Sequence, residues 1–447
     1  MSDYPKVLLL CNFSQSRSSG ITIRNLFKNW PDSRIAVVEY SDSIESIYVP
    51  DISRYYILGQ KEIRYLWPFS YLRKLRASAE HTLHSAPPTV KPSALRTGFR
   101  AKLQSAFAKL LSGFLRLSGF SFVSRQFRVS PELESWVKAF EPDLVYTSSG
   151  DINKLEFAAE IKRHFKASLA LHILDDYVNS SYEDTVFPLY WKRRLDSTFR
   201  RVLESVDLPL AIGDKMAGEY SGKYGKPFYG FHNPIDPKVW MRSPEENTLP
   251  AVEASTDGFT FLYAGKVNRD TVEPIIRFMD AVDALVAKGH AVGLQICSPY
   301  PFEIIYRLLG ERAESVYYGK VPYAELPATF RNADALLLPL DFSEATIRYI
   351  RLSMLTKATE YMISGSPIFI FAPGELAVSE YLMKHDSAFH CGDPTRLEDL
   401  ILEFMNDSAG RQRIAANAVR CAREDHVIEL VGERLRELIV QSIGSSN

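Results

Sequence analysis

Residues 353–367 read SMLTKATEYMISGSP and hold a serine, a lysine and a glutamate at a spacing suited to a phosphorylated polyol. The segment follows the apolar run 334–340 (DALLLPL) and precedes 368–372 (IFIFA), so the implied order is strand, polar loop, helix, glycine, strand. A helix beginning near Met354 or Leu355 puts Ser353 just before its first turn, with Lys357 and Glu360 three apart on one face. Free N–H groups at a helix start favour an anion, and a lysine adds a full charge. A carboxylate one turn on is unsuited to phosphate but accepts hydrogen bonds from sugar hydroxyls. Phosphate and sugar side by side describe a nucleotide. Ser353 and Thr356 are hydroxyl donors to such a phosphate, with a plain N-cap as the other role for Ser353. Glu360 has its own alternative, a solvated helix carboxylate paired with Lys357.

A second group lies upstream. Gly265 ends the β-rich run 259–264, and Lys266 and Arg269 follow at once. A glycine there lets backbone approach a ligand. Two cations at the C-terminal edge of a parallel sheet suit a diphosphate, where ligands of such sheets bind, and would stabilise a departing nucleoside diphosphate. The alternative is a pair of ordinary solvated loop charges. In the first half, 16–22 (SRSSGIT) is a small polar loop opening a helix, with Ser19 and Gly20 as candidates for an acceptor or phosphate loop. Residues 147–151 (TSSGD) make a similar strand end. Asp175 and Asp176 close the run 171–177 (LHILDDY); one of them facing a ligand would hold an acceptor hydroxyl or act as general base, the alternative being a helix cap or turn. His172 reads as a packed strand residue.

These residues need strands and helices to hold them. Continuous apolar runs at 6–11, 34–40, 143–147, 168–174 and 208–212, then at 259–264, 292–297, 315–318, 335–340, 367–371 and 388–391, predict buried parallel strands. Helical stretches fall between them, notably 272–288, 323–333 and 354–363. Such alternation predicts an α/β protein with doubly wound sheets, and 447 residues suit two domains. The polar stretch 243–258 (SPEENTLPAVEASTDG) is the expected boundary, and 425–443 has helical spacing. A net charge of −1 does not advertise nucleic acid. The four cysteines form no CxxC pair and read as reduced and structural, and the polar start MSDYPK does not resemble a signal peptide, so a cytoplasmic setting is expected.

One segment breaks the rhythm. Residues 64–128 hold twelve Lys/Arg against the single acid Glu80, with aromatics interleaved. Leu95, Phe99, Leu103, Phe107, Leu110, Phe114 and Leu117 recur at helical spacing, flanked by Lys102, Lys109 and Arg116. This basic amphipathic helix fits the surface of an anionic membrane, or an insertion packed on the first domain; nucleic acid lacks an accompanying module. There is no GxGxxG, GxSxG, HExxH or Asp-x-Asp, which argues against a dinucleotide dehydrogenase, a serine hydrolase and a metal site.

Three stretches together resemble glycosyltransferases of the GT-B fold, of the family 4-like group that builds bacterial surface polysaccharides. They are 261–267 (FLYAGKV), 316–326 (VYYGKVPYAEL) with Ala333-Asp334, and 353–367, which is similar to the family's Lys-x-x-Glu-Tyr-x-x-x-Gly-x-Pro pattern. The resemblance implies two Rossmann-like domains facing a cleft: 1–242, binding the acceptor and carrying the basic insertion, and 258–424, binding the nucleotide sugar. It implies a helix over 425–447 that crosses back to the first, with Asn233-Pro234 as an interdomain element. By it, Gly265, Lys266, Arg269, Ser353, Lys357 and Glu360 bind a UDP- or GDP-type donor, Glu360 through the ribose, with no cofactor and no metal. The implied acceptor is a lipid-linked glycan at the inner membrane face. Many relatives carry a second glutamate eight positions before the first, contacting the donor sugar; position 352 here is leucine, which leaves Asp341, Phe342 and Ser343 as candidates and stereochemistry open. Were it inverting, Asp175 or Asp176 would be the base. A nucleotide-sugar epimerase or hydrolase on the same fold, and a non-catalytic scaffold recruited to membrane, are the other classes the sequence allows.

Overall fold

The apolar runs become strands because both faces of a parallel sheet are covered by helices, so every position along them must be apolar. In the computed structural model the described residues are 4–11, 13, 18–40, 52–66, 79–81, 113–115, 117–241, 258–268, 270–298, 316–319 and 321–445. They fall into two units, Met1–Phe231 with Gly432–Asn447, and His232–Val431. Residues 242–257, which cover all but one residue of the expected boundary, lie outside the described residues, as do 67–78, 82–112 and 116 of the basic segment.

The first unit is built on an eight-stranded sheet of order β10-β9-β8-β7-β1-β2-β3-β5. Its strands are β1 (Val7–Leu10), β2 (Ile35–Glu39), β3 (Tyr55–Ile57), β5 (Ala79–His81), β7 (Leu144–Thr147), β8 (Ser168–Ile173), β9 (Leu208–Ala211) and β10 (Tyr229–Gly230). All pairs are parallel except β3 with β5. A separate antiparallel pair joins β4 (Ile63–Tyr65) to β6 (Arg125–Phe127). The order runs outward in both directions from β1 and β7, which makes that pair the switch point of the sheet. The loops singled out from sequence sit there: the helix Ser18–Leu26 follows β1, and Ser148–Asp151 follows β7. Thr147 Oγ1 donates to the Leu10 carbonyl at 2.9 Å and ties the two strand ends together.

The second unit carries a six-stranded parallel sheet of order β13-β12-β11-β14-β15-β16. Its strands are β11 (Phe259–Ala264), β12 (Val292–Cys297), β13 (Val316–Gly319), β14 (Ala335–Pro339), β15 (Ile368–Phe371) and β16 (Phe389–Cys391). Counted within the unit this is order 3-2-1-4-5-6, the doubly wound arrangement of dinucleotide-binding folds. Phe261, Phe278, Phe369 and Phe404 pack ring against ring in its core, between the sheet and the helices Val272–Ala287 and Leu397–Asn406. The helix expected from Met354 or Leu355 begins instead at Thr356. Leu355 is its N-cap and no side chain caps it, so the N-cap role weighed for Ser353 is excluded.

Candidate functional site

The switch point of the second sheet lies between β11 and β14, and ligands of such sheets bind beyond the carboxyl ends of the strands at that point. The local chemistry follows from how these two strands part. β14 pairs with β11 only at Phe261 and Leu262, so the backbone of β11 loses this neighbour before the strand ends. The Ala264 N–H is taken up by a side chain: the Tyr361 hydroxyl accepts from it at 3.0 Å. Tyr361 is buried on the helix Thr356–Ser364, and burial holds its phenol protonated well above the usual range. This bond docks the helix against the end of β11 and thereby places Lys357, one turn earlier on the same face.

Lys357 reaches across the strand end. Its Nζ lies 4.2 Å from the centre of the Tyr263 ring and donates to the Tyr263 hydroxyl at 2.8 Å. Tyr263 is fully buried and its hydroxyl in turn donates to the Lys266 carbonyl at 2.6 Å. The stem of Lys357 passes directly over Gly265. A Cβ at Gly265 would fall 2.6 Å from Lys357 Cε and closer still to Nζ, and the glycine has φ +145°, in a region L side chains rarely adopt. Gly265 is thus required twice, by its backbone and by the lysine that crosses it.

Lys266 is exposed at the start of the following loop, and Thr271 closes that loop by accepting from the Asn268 N–H at 3.1 Å. Arg269 lies outside the described residues. Glu360 is 8 % exposed, so it is buried rather than the solvated carboxylate weighed above, while Lys357 turns to Tyr263. Ser353 is also buried, and its N–H bonds the Ile350 carbonyl at 2.9 Å. Leu352, at the position where the resembled pattern has glutamate, is buried at 1 % exposure.

After β14 a second loop closes on itself. Asp341 accepts from Ser343 Oγ at 2.5 Å and Thr346 Oγ1 at 2.9 Å, and Ser343 caps the helix Glu344–Ile350 through the Thr346 N–H. Burial pushes the Asp341 carboxyl up, but these hydrogen bonds outweigh it and hold the group below its ordinary value. The Asp341 N–H donates to the Asp270 carbonyl at 3.0 Å, which joins the loops after β11 and β14. Gly265, Lys266, Lys357 and the Asp341 loop therefore meet at one sheet edge.

In the first unit the two aspartates part company. Asp175 is exposed, and Asp176 is 2 % exposed. Asp176 Oδ1 accepts from the Tyr220 hydroxyl at 2.7 Å and Asn179 Nδ2 at 2.8 Å, which fastens the short helix Tyr177–Ser180 to the helix Asp214–Tyr224. The Tyr177 ring covers Gly150 so closely that a Cβ there would lie 2.4 Å from its Cδ1. Ser19 and Gly20 stand in the first turn of the helix Ser18–Leu26. His172 is buried in β8, bonded through Nδ1 to the Tyr146 hydroxyl at 2.6 Å, and burial pushes its pKa down to about 3.

Among the described residues, His385, Cys421 and Asp425 are grouped closely enough to hold a metal. The Tyr381 hydroxyl already engages two of the three, at 3.1 Å from both Cys421 Sγ and Asp425 Oδ2, and also lies 2.8 Å from His426 Nε2. Tyr263 and Tyr361 are the site residues that sequence reading missed. Both look like core aromatics, and the signal that marks them is spacing: Tyr263 stands two before the glycine, and Tyr361 four after the lysine.

No protein-family model matches the sequence, and no curated protein matches it as a relative. Solved structures do match in fold. HepE of Anabaena, solved in complex with UDP and glucose, is 13 % identical with a TM-score of 0.60, covering 98 % of this chain and 100 % of that one. Sucrose-phosphate synthase from Thermosynechococcus elongatus gives the same identity, TM-score and coverage. An α,α-trehalose 6-phosphate synthase from Burkholderia multivorans is 12 % identical with a TM-score of 0.59 over 99 % of this chain and 98 % of that one. The chain has the GT-B fold of glycosyltransferases, with a Rossmann-like sheet in each unit.

Proposed function

We propose that this protein is a glycosyltransferase that binds a nucleoside-diphosphate sugar at the end of β11 and transfers the sugar to a glycan. The observation that carries the reading is Lys357 lying across Gly265 at the switch point of the second sheet, where the fold places ligands. In this reading Lys357, Lys266 and Arg269 neutralise the diphosphate as it leaves, and the uncapped N-terminus of the helix Thr356–Ser364, with Ser353 just before it, faces the same anion. Glu360 accepts hydrogen bonds from the ribose. With leucine at position 352, the Asp341 loop is the candidate contact to the donor sugar, and its lowered carboxyl pKa keeps an acceptor for sugar hydroxyls charged. HepE, bound to UDP and glucose, supplies the model for donor class, UDP first and GDP second.

The acceptor belongs to the first unit. The helix start at Ser19 and Gly20 on one side of its switch point and the 147–151 segment on the other are the candidates to meet the acceptor or the donor phosphates. Asp175 is the candidate base should transfer invert, because Asp176 is committed to Tyr220 and Asn179. A lipid-linked glycan at the inner face of a membrane, with the 64–128 segment on the anionic surface, completes the reading; it places the enzyme in surface polysaccharide assembly, and no helix among the described residues is long and apolar enough to span a bilayer. No step calls for a metal. Calorimetry with UDP and GDP tests the donor site: heat with one, lost in Lys357→Met, is the expected result. Absence of heat with both overturns it. Release of nucleotide from donor without acceptor at the full rate would favour the hydrolase class instead.

A further inference from the structure

Of the fourteen large apolar side chains left exposed among the described residues, seven come from two short stretches of the first unit. Phe114, Leu117 and Phe120 stand on one, and Val186, Phe187, Leu189 and Tyr190 on the other, each more than half exposed. The two stretches form one surface. The Val186 N–H donates to the Leu117 carbonyl at 2.7 Å, and Trp191 Nε1 donates to the Ser118 carbonyl at 2.8 Å. Gly119, at φ +80°, lies so close on the indole that a Cβ would sit 2.5 Å from Trp191 Cδ1. Phe120, Tyr190 and Tyr182 all pack around the same buried tryptophan. Tyr182, buried at φ +68°, sets the turn that raises Val186 and Phe187 into solvent.

Such a cluster costs solvation unless something covers it, and its charge says what. Across 113–128 and 182–194 the sequence carries six Lys/Arg against Glu183 and Asp184. Glu183 and Lys192 neutralise each other at 2.9 Å and Arg125 is paired with Asp151 at 3.7 Å, so the positive excess rests on the other four arginines against Asp184. Arg193 and Arg194 are exposed beside the apolar tip, and the Arg194 guanidinium lies 5.6 Å from the centre of the Trp191 ring. Apolar side chains with a tyrosine among them and a cationic collar are the composition of a surface that sits at the headgroup boundary of an anionic bilayer. Here the apolar groups are held on structure already formed, Val186 and Phe187 on a turn and Leu189 and Tyr190 on the first turn of the helix Pro188–Ser205, so little ordering is lost on binding.

We infer that this Trp191-centred apolar platform, Phe114–Leu117–Phe120 with Val186–Phe187–Leu189–Tyr190, docks the protein on an anionic phospholipid surface. The inference deepens the membrane part of the reading above and rests on it for the purpose of docking; its measurement uses neither donor nor acceptor. The experiment is co-sedimentation of the full chain with vesicles of phosphatidylglycerol and phosphatidylcholine, against phosphatidylcholine alone. Wild type is expected to bind the anionic vesicles more tightly. Phe187→Asp with Leu189→Asp should weaken that binding by roughly tenfold or more, since two exposed apolar groups are lost and two like charges introduced. Arg193→Glu with Arg194→Glu should weaken it on anionic vesicles and leave any binding to phosphatidylcholine unchanged. Both pairs lie on exposed positions, so the melting temperature and the UDP heat should stay at wild-type values. Wild-type affinity in the Phe187/Leu189 variant would overturn the inference, as would no vesicle binding by wild type, the outcome expected if a protein partner covers the platform. Loss of UDP heat in wild type would count against the donor reading and not against this one.

Discussion

Gly265→Ala separates backbone strain from ligand chemistry in one substitution. The new Cβ enters at 2.6 Å from Lys357 Cε, about an ångström inside ordinary contact, and it does so at φ +145°. The backbone term costs about 1–3 kcal/mol of stability. The steric term is relieved cheaply for the fold, because the end of a lysine can swing aside. It is not cheap for the ligand: Lys357 Nζ leaves the Tyr263 hydroxyl that it holds at 2.8 Å and with it the position over the strand end. A charge-assisted hydrogen bond to phosphate contributes on the order of 1.5–3 kcal/mol, which corresponds to about a 10- to 150-fold loss in affinity for the nucleotide. Lys357→Met supplies the control, since methionine keeps an apolar stem near the Tyr263 ring and removes the ammonium with its bond to the Tyr263 hydroxyl, which keeps the Lys266 carbonyl as its acceptor. Calorimetry with UDP and a thermal melt read the two terms separately. Gly265→Ala should lose both stability and affinity, and Lys357→Met affinity alone. A folded Gly265→Ala protein that binds UDP within twofold of wild type would refute the reasoning, because the lysine could then not be the group that meets the diphosphate.

Tyr361→Phe removes the acceptor of the Ala264 N–H and should cost about 1–3 kcal/mol in a denaturant melt, with weakened nucleotide binding because Lys357 rides on the same helix. Asp176→Ala leaves the Tyr220 hydroxyl without its acceptor and should lower stability by a similar 1–3 kcal/mol or so, whereas Asp175→Asn should leave the melt unchanged and lower turnover only if it is the base. His172 has its pKa depressed to about 3 by burial, from an unfolded value near 6.5. Between these values the unfolded chain binds the proton and the native chain does not, so stability is full above about pH 6.5 and lost as pH falls. From pH 7 to pH 5 the loss is about 2 kcal/mol, and His172→Gln should flatten that part of the stability profile; an equally steep profile in the variant would assign the acid sensitivity elsewhere, His426 being the other buried histidine with a depressed pKa among the described residues.

How far the sequence is legible depends on how local the governing physics is. The runs 259–264 and 292–297 coincide with β11 and β12, because a strand covered on both faces must be apolar throughout and the period is visible without a partner. β3, β4, β6 and β10 escape that reading, being two or three residues long and recognisable only through their pairing. The helix Pro188–Ser205 is mostly polar by sequence and is defined by burial of Trp191, Leu195, Phe199 and Val202 on one side. The helix Thr356–Ser364 lacks the side-chain cap that would mark its start, which is why Ser353 attracts the role and does not have it.

By itself the sequence determines the α/β alternation, the glycine after β11 and the residue types of a diphosphate cradle, because these rest on period, backbone freedom and charge. It does not determine that Lys357 crosses Gly265, that Tyr361 seals the β11 end where β14 departs, or that of two adjacent aspartates one is exposed and the other locked to Tyr220. Those facts depend on groups 44 to 97 residues apart, the first two pairs meeting at the switch point of the second sheet, and only the order of strands in the folded sheets brings them together.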